Sequence, residues 1–209
     1  CLSIFVAFPS LIKSNSNVLL YGYGSKLNLV YDYLKYFQEN VNGKENDYHI
    51  MIFNCYNSDI KINFILGGII DYLNSFKKRY ISQNLNSNNN FNNNNNTTDG
   101  YLKTDDEKLK KINEILNFLI ENDIIKKMLI VINNLDSHYL SNKESQKTLS
   151  KLFFDKSNKM HLFATTDNLY LNYFWNQTIK DNYSFYFIKF NTFENYDMEI
   201  NDKNSLTGE

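Results

Sequence analysis

The sequence predicts an α/β protein, a five-stranded parallel sheet with helices on both faces. Three features carry this reading. Short and almost wholly apolar runs recur at residues 18–21, 50–53, 128–132, 160–164 and 185–190, the form taken by strands that are buried on both sides. Most are bounded by glycine, asparagine or other turn residues. Between them stand segments of about ten residues or more with apolar side chains at i, i+3, i+4 and i+7, long enough to be crossover helices.

Each element follows from local chemistry. Ile4, Phe5, Phe8, Leu11 and Ile12 lie at helical spacing, and the polar residues 14–17 break the pattern. Val18, Leu19, Leu20 and Tyr21 form the first strand. After the glycine turn 22–25, Leu27, Val30, Tyr31, Leu34 and Phe37 mark one face of a helix to about residue 40, and the loop 42–47 leads into the second strand. Ile62, Ile65, Leu66, Ile69, Leu73 and Phe76 form the next stripe. Lys77, Lys78 and Arg79 follow as cations suited to a helix C-terminus, so this helix is expected to stop before Ser82.

Residues 82–100 are mostly Asn and Ser, too polar to offset their ordering entropy by burial, and read as a disordered insert. Thr104 and Glu107 then form a capping box that opens a helix with Leu109, Ile112, Leu116, Leu119 and Ile120 inward. Helices are expected again over 145–154 and 169–179. Residues 1–193 therefore read as one domain, and residues 194–209, acidic and without pattern, as a linker to something further along. Because the chain opens on Cys1 and not on Met, it is expected to be a piece of a longer polypeptide.

Composition excludes several classes. The 209 residues are 43% hydrophobic, enough for a core, and 22 basic against 23 acidic side chains leave a net charge of -1. No bulk field of either sign exists to draw in nucleic acid or an anionic membrane. No apolar run approaches the roughly 18–20 residues of a membrane span. Two cysteines and three scattered histidines provide neither a disulfide framework nor a metal-ligand spacing, so a reducing intracellular compartment is the default. The single Arg, Arg79, and the abundance of Asn, Lys, Tyr and Ile follow AT-rich codons, so Lys in place of Arg carries little functional weight.

In such a fold, function sits at the carboxyl ends of the strands. Gly22, Gly24, Ser25 and Lys26 form a glycine turn entering a helix, where backbone N–H groups and a lysine would cradle a phosphate. The turn falls short of a working phosphate loop twice. The span from the first glycine to the lysine is too short to wrap a β-phosphate, and Leu27 stands where a hydroxyl should hold magnesium. After the third strand, where an Asp-Glu pair would orient metal and water, stand Asn133 and Asn134. An amide brings no charge to a metal and is no general base near neutral pH.

The two losses together argue against hydrolysis. Asn133, Asn134 and Asp136 also invite a guanine-recognition reading, which the absence of a D-x-x-G switch motif opposes. Thr165, Thr166 and Asp167 would either sense a γ-phosphate or cap the following helix. His49 and His161 sit at strand entrances, in structural or surface positions. Trp175, with Tyr173 and Phe174, is either a core anchor or a partner-binding hot spot.

Taken in order, residues 18–29 (V-L-L-Y-G-Y-G-S-K-L-N-L) resemble the strand and degenerate phosphate loop of the origin recognition complex subunit 2 family, L-L-Y-G-x-G-S-K-x-x-L. Residues 129–137 (L-I-V-I-N-N-L-D-S) resemble the family's I-H-N-L-D-S signature, with Ser145, Gln146 and 149–152 matching the helix after it. Residues 161–168 (H-L-F-A-T-T-D-N) are similar to its fourth strand, and Trp175 falls where the family places a Trp. Asn133 replaces the usual His, and the insert is longer and more polar than the family's.

The resemblance implies an AAA+-like fold that has lost ATP chemistry. Gly22, Gly24, Ser25 and Lys26 would be a vestigial phosphate loop, Asn133, Asn134 and Asp136 a degenerate metal-site strand end, and Tyr173, Phe174 and Trp175 a partner contact. No metal, bound nucleotide or catalytic residue is expected. The implied role is that of a structural, nuclear subunit of the complex that marks replication origins. Its partners would be the other subunits and the replicative helicase loading machinery, with origin DNA met indirectly or through a winged-helix domain beyond residue 209. The competing readings are an ATP-binding sensor and an active phosphate-loop NTPase or kinase with an unusual loop.

Overall fold

The computed structural model describes residues 16–40, 48–56, 60–85, 104–154 and 159–201. The expected helix at 4–12 and the loop 42–47 lie outside them. Five strands form one sheet: β1 (Asn17–Tyr21), β2 (Tyr48–Asn54), β3 (Lys127–Asn133), β4 (Met160–Thr166) and β5 (Phe185–Lys189). Every pairing is parallel and the order is β2-β3-β4-β1-β5. The chain leaves β1 toward β2 on one side and later passes from β4 to β5 on the other, so the mouth of the sheet opens beside β1.

Burial follows strand position. β3 is buried at every residue but its first and β4 throughout, whereas β5, at the edge, is half-exposed. This is why the central strands are continuous apolar runs. Register places Leu19 beside Ala164, Tyr21 beside Thr166 and Asn54 beside Asn133, which brings the ends of β1, β3 and β4 together.

Helix α1 (Leu27–Asn40) lays Val30, Tyr33, Leu34 and Phe37 on Val18, Leu20, Leu129, Val131 and Phe163 of the sheet. Aromatic edges close this layer: Tyr33 meets Phe163 at 5.3 Å and 73°, and Phe37 meets Tyr48 at 5.3 Å and 72°. Two further helices, α4 (Lys143–Leu152) and α5 (Gln177–Tyr183), meet through Gln146, whose Oε1 accepts the Tyr183 hydroxyl at 2.9 Å. Buried Asn17 ties them to the sheet, accepting from Leu162 N at 2.7 Å and donating to Tyr183 O at 2.5 Å.

Residues 63–126 form a second compact unit, made of α2 (Ile62–Leu85) and α3 (Asp105–Glu121). The Thr104 capping box is present, with Glu107 N donating to Thr104 Oγ1 at 3.2 Å and Thr104 N to the Glu107 carboxylate at 3.2 Å. Helix α2 does not stop before Ser82 but runs on to Leu85. Lys77 and Arg79 lie inside it, and their charges rest on the Phe118 and Phe76 rings at 5.0 and 5.7 Å, where cation–π attraction replaces a helix-end role. Of the predicted insert 82–100, residues 86–100 lie outside the described residues.

The segment predicted as a helix over 169–179 is instead a short 3-10 turn (Leu171–Phe174), an extended Trp175, and α5 started by Asn176, whose side chain accepts from Ile179 N at 2.9 Å. The break turns Trp175 inward while its two neighbours stay out.

Phe163 is the ring on which the α1 layer converges. Phe163→Ala should cost about 3–5 kcal/mol through lost burial and the cavity left behind. Urea denaturation measures it, and a cost near zero would mean that this layer does not hold the sheet.

Candidate functional site: the phosphate loop

The turn after β1 exists because two positions lack a side chain. Gly22 has φ +146° and Gly24 φ +90°, values that L-residues rarely adopt. Space is also closed. A β-carbon on Gly24 would stand 2.5 Å from Phe193 N and from Thr192 Oγ1, and one on Gly22 would lie 2.5 Å from Asn191 Oδ1 and closer still to Phe190 O. What crowds both glycines is the chain's own segment after β5.

Lys26 is 3% exposed and turns back into its own loop. Its ammonium donates to Gly22 O at 2.7 Å, Gly24 O at 2.9 Å and Asp167 Oδ1 at 2.6 Å. An ammonium has three protons to donate, and all three are used. Leu27 is buried at the start of α1, so no hydroxyl stands there.

Three of the loop's backbone donors are engaged as well. Tyr23 N donates to Asn191 Oδ1 at 3.0 Å, Ser25 N to Glu194 O at 3.0 Å and Gly22 N to Thr166 O at 3.3 Å. Thr192 Oγ1 donates to Ser25 O at 2.6 Å, and Asn28 Nδ2 to the Glu194 carboxylate at 3.2 Å. The Ser25 hydroxyl donates to Glu199, which lies in the short helix α6 (Asp197–Asn201) and is buried. Residues 190–201 are thus a strap laid over the loop. They were expected to be linker from 194 onward, but 194–201 are held here by specific hydrogen bonds.

Asp167 is the hub on the other side. Beyond Lys26 it accepts from Asn134 Nδ2 at 3.3 Å and from the Tyr196 hydroxyl at 2.9 Å. Tyr196 stacks on Tyr56, with centroids 4.9 Å apart and planes 9° apart, and its phenol is pushed up first by burial and then by the Asp167 hydrogen bond and charge. Asn134, at φ +58°, donates its N–H to Thr165 Oγ1 at 3.0 Å. Asp136 Oδ2 accepts from Asn168 N at 2.9 Å and Asp167 N at 3.3 Å, and Thr166 Oγ1 accepts from Asn168 N at 3.1 Å. These side chains fix the loop after β4.

Asn133 ends β3 almost wholly buried, and neither polar atom of its side chain has a hydrogen-bond partner among the described residues. Burial, and then the charge of Asp167, push the Asp136 carboxyl above its ordinary 3.8.

The sequence-predicted residues Gly22, Gly24, Ser25, Lys26, Asn134 and Asp136 therefore converge with Thr165, Thr166 and Asp167 at one end of the sheet. Trp175 does not join them. It is 5% exposed, stacked on Phe185 at 5.8 Å with Tyr183 tilted against it at 5.0 Å, whereas Tyr173 and Phe174 are 76% and 72% exposed. The strap residues Asn191, Thr192, Glu194, Tyr196 and Glu199 were not legible as site residues. Most of their bonds to the loop involve main-chain atoms, which leave no pattern in a sequence.

The family model for the origin recognition complex subunit 2 RecA-like domain matches residues 3–190. The chain belongs to this family. No curated protein sequence matches it. Among solved structures, a chain in the structure of Drosophila ORC bound to AT-rich DNA and Cdc6 is similar with TM-score 0.62 and 21% identity, over 97% of this chain and 58% of that one. A chain in the structure of Drosophila ORC bound to DNA gives 0.60 and 20%, over 94% and 93%. The Aeropyrum pernix ORC1 protein in complex with DNA gives 0.62 and 12%, over 90% and 44%. At these identities the likeness is one of fold, and that fold is RecA-like. The origin recognition complex subunit 2 match stops at residue 190, where the strap begins.

Two outcomes follow from the charges. Removing one partner of a buried ion pair costs about 3–5 kcal/mol, and the 29% exposure of the Asp167 side chain reduces this for Lys26→Met to about 2 kcal/mol by urea denaturation. A cost under about 0.5 kcal/mol, the scale of a plain surface change, would refute the hub. Because the folded Asp136 carboxyl binds its proton more tightly than the unfolded one, its contribution to stability is full below 3.8 and is lost as pH rises through the folded value. The stability of Asp136→Asn relative to the parent should therefore climb as pH rises from 3.8 through the folded value. A flat difference would mean the carboxyl is not perturbed.

Proposed function

We propose that this domain is a non-catalytic structural subunit of an origin recognition complex, supporting origin binding and helicase loading in the nucleus without binding or hydrolysing ATP itself. One observation carries the reading: the only lysine of the phosphate loop spends all three protons on Gly22 O, Gly24 O and Asp167. A phosphate would have to break that set and lift the strap. Leu27 and Asn133 would then give magnesium neither a hydroxyl nor a carboxylate.

A multiple-turnover phosphate-release assay tests this, with binding of a fluorescent ATP analogue alongside. No turnover and no saturable binding are expected. Sustained release that is lost in Lys26→Met, with the fold retained, would refute the reading.

A RecA-like sheet freed of nucleotide chemistry is left with faces for partners. Tyr173 and Phe174, together with Tyr170 at 65% exposure, present aromatic surface toward sister subunits. Phe174→Ser should weaken capture of those subunits from cell extract while changing stability by less than about 0.5 kcal/mol, as an exposed site does. Unchanged capture would move the contact elsewhere.

With net charge -1, the domain alone should bind duplex DNA only in the non-specific range of roughly 10⁻⁶–10⁻⁴ M, equally for origin and scrambled sequences. Fluorescence anisotropy near physiological salt measures this. Tighter binding to the origin duplex would place DNA readout in this chain.

A further inference from the structure

The strap does more than cover the loop. Its polar atoms meet three of the loop's donors: Asn191 Oδ1 on Tyr23 N, Glu194 O on Ser25 N, and the Glu199 carboxylate on the Ser25 hydroxyl. Glu199 is the unusual member. It is 3% exposed, and its second oxygen, Oε2, has no hydrogen-bond partner among the described residues. Burying a carboxylate with one oxygen unpaired is costly unless the surroundings favour negative charge.

Those surroundings are present. The 14-residue helix α1 begins at Leu27, two residues beyond Ser25, and its N-terminal dipole favours an anion. Ser25 Oγ also takes the Leu27 N–H at 3.4 Å, which orients the hydroxyl proton away from the helix and toward Glu199. Both glycines are shaped to the strap, since a β-carbon on either would collide with residues 190–194.

We propose that the loop 22–26 is a working anion site whose ligand is carried on the same chain. The Glu199 carboxylate, delivered by the strap, occupies it, and the loop thereby fixes the direction in which the chain leaves the sheet. The Tyr196 hydroxyl on Asp167 and its ring on Tyr56 seat the strap from the other side. The assignment does not depend on the complex to which the domain belongs, only on the loop retaining its affinity for an anion.

Hydrogen exchange in the full 209-residue chain tests it. The Tyr23 and Ser25 amides, whose acceptors lie in the strap, report docking, and the β3 amides report the fold. Glu199→Ala should speed exchange at Tyr23 and Ser25 by about tenfold or more, the scale of a lost hydrogen bond to a charged group, with β3 unchanged. Sodium formate, which resupplies the carboxylate, should slow it again, and sodium chloride at equal ionic strength should not. Asp197→Asn, at an exposed carboxylate of the same helix, should leave exchange as in the parent.

Unchanged Tyr23 and Ser25 exchange in Glu199→Ala would overturn the proposal. So would faster exchange that formate does not reverse, since Glu199 would then be mere packing, or an equal effect from Asp197→Asn. If Glu199→Ala also frees the β3 amides, Glu199→Gln keeps the volume without the charge. Faster exchange at Tyr23 and Ser25 in that variant supports the anion site, and unchanged exchange refutes it.

Discussion

The buried ammonium of Lys26 organises this end of the molecule. A lysine at 3% exposure must have its charge met, and Asp167 at 2.6 Å meets it across the gap between β1 and β4. The two remaining protons go to the carbonyls of Gly22 and Gly24, so the loop is wound around its own cation. That winding needs positive φ at both glycines, and the bare Cα atoms that permit it also let residues 190–194 approach. The ion pair, the turn and the strap are therefore one arrangement, held together by the chain's own groups.

Asp167 extends the arrangement to the third strand. Its second oxygen takes Asn134 Nδ2 and the Tyr196 hydroxyl, which links the β3 end and the strap through one side chain. Asp136 performs the neighbouring task, receiving the N–H groups of Asp167 and Asn168 and so holding the hub in position. Carboxylates at strand ends are commonly read as metal or base positions. Here each oxygen of Asp167 accepts from the protein's own donors, and burial raises the Asp136 carboxyl above its ordinary value. The acids at this site brace loops.

Much of the fold was legible because burial on both faces forces the inner strands to be apolar throughout. The runs at 128–132 and 160–164 could be read as strands from composition alone, and they prove to be β3 and β4, two of the three inner strands of the sheet. Helix ends were less legible. Lys77, Lys78 and Arg79 look like a C-terminal cluster, yet α2 continues to Leu85 because two of these cations find aromatic rings alongside. Trp175 misled in the opposite way. The pattern placed it on a continuous helix beside Tyr173 and Phe174, whereas the backbone is extended at Trp175 and sends the indole into the core.

The loop itself shows why a motif and a site are different things. Gly22, Gly24, Ser25 and Lys26 were found by spacing, and spacing correctly indicated a tight turn into a helix. It could not indicate what fills the turn, because the groups against it are backbone and side-chain atoms of residues 190–194 and a carboxylate more than 170 positions away. The strap alone requires the glycines, since a β-carbon on either would collide with residues 190–194. A glycine-rich loop reports only that something approaches the backbone closely, and in this chain the approaching group is the chain itself.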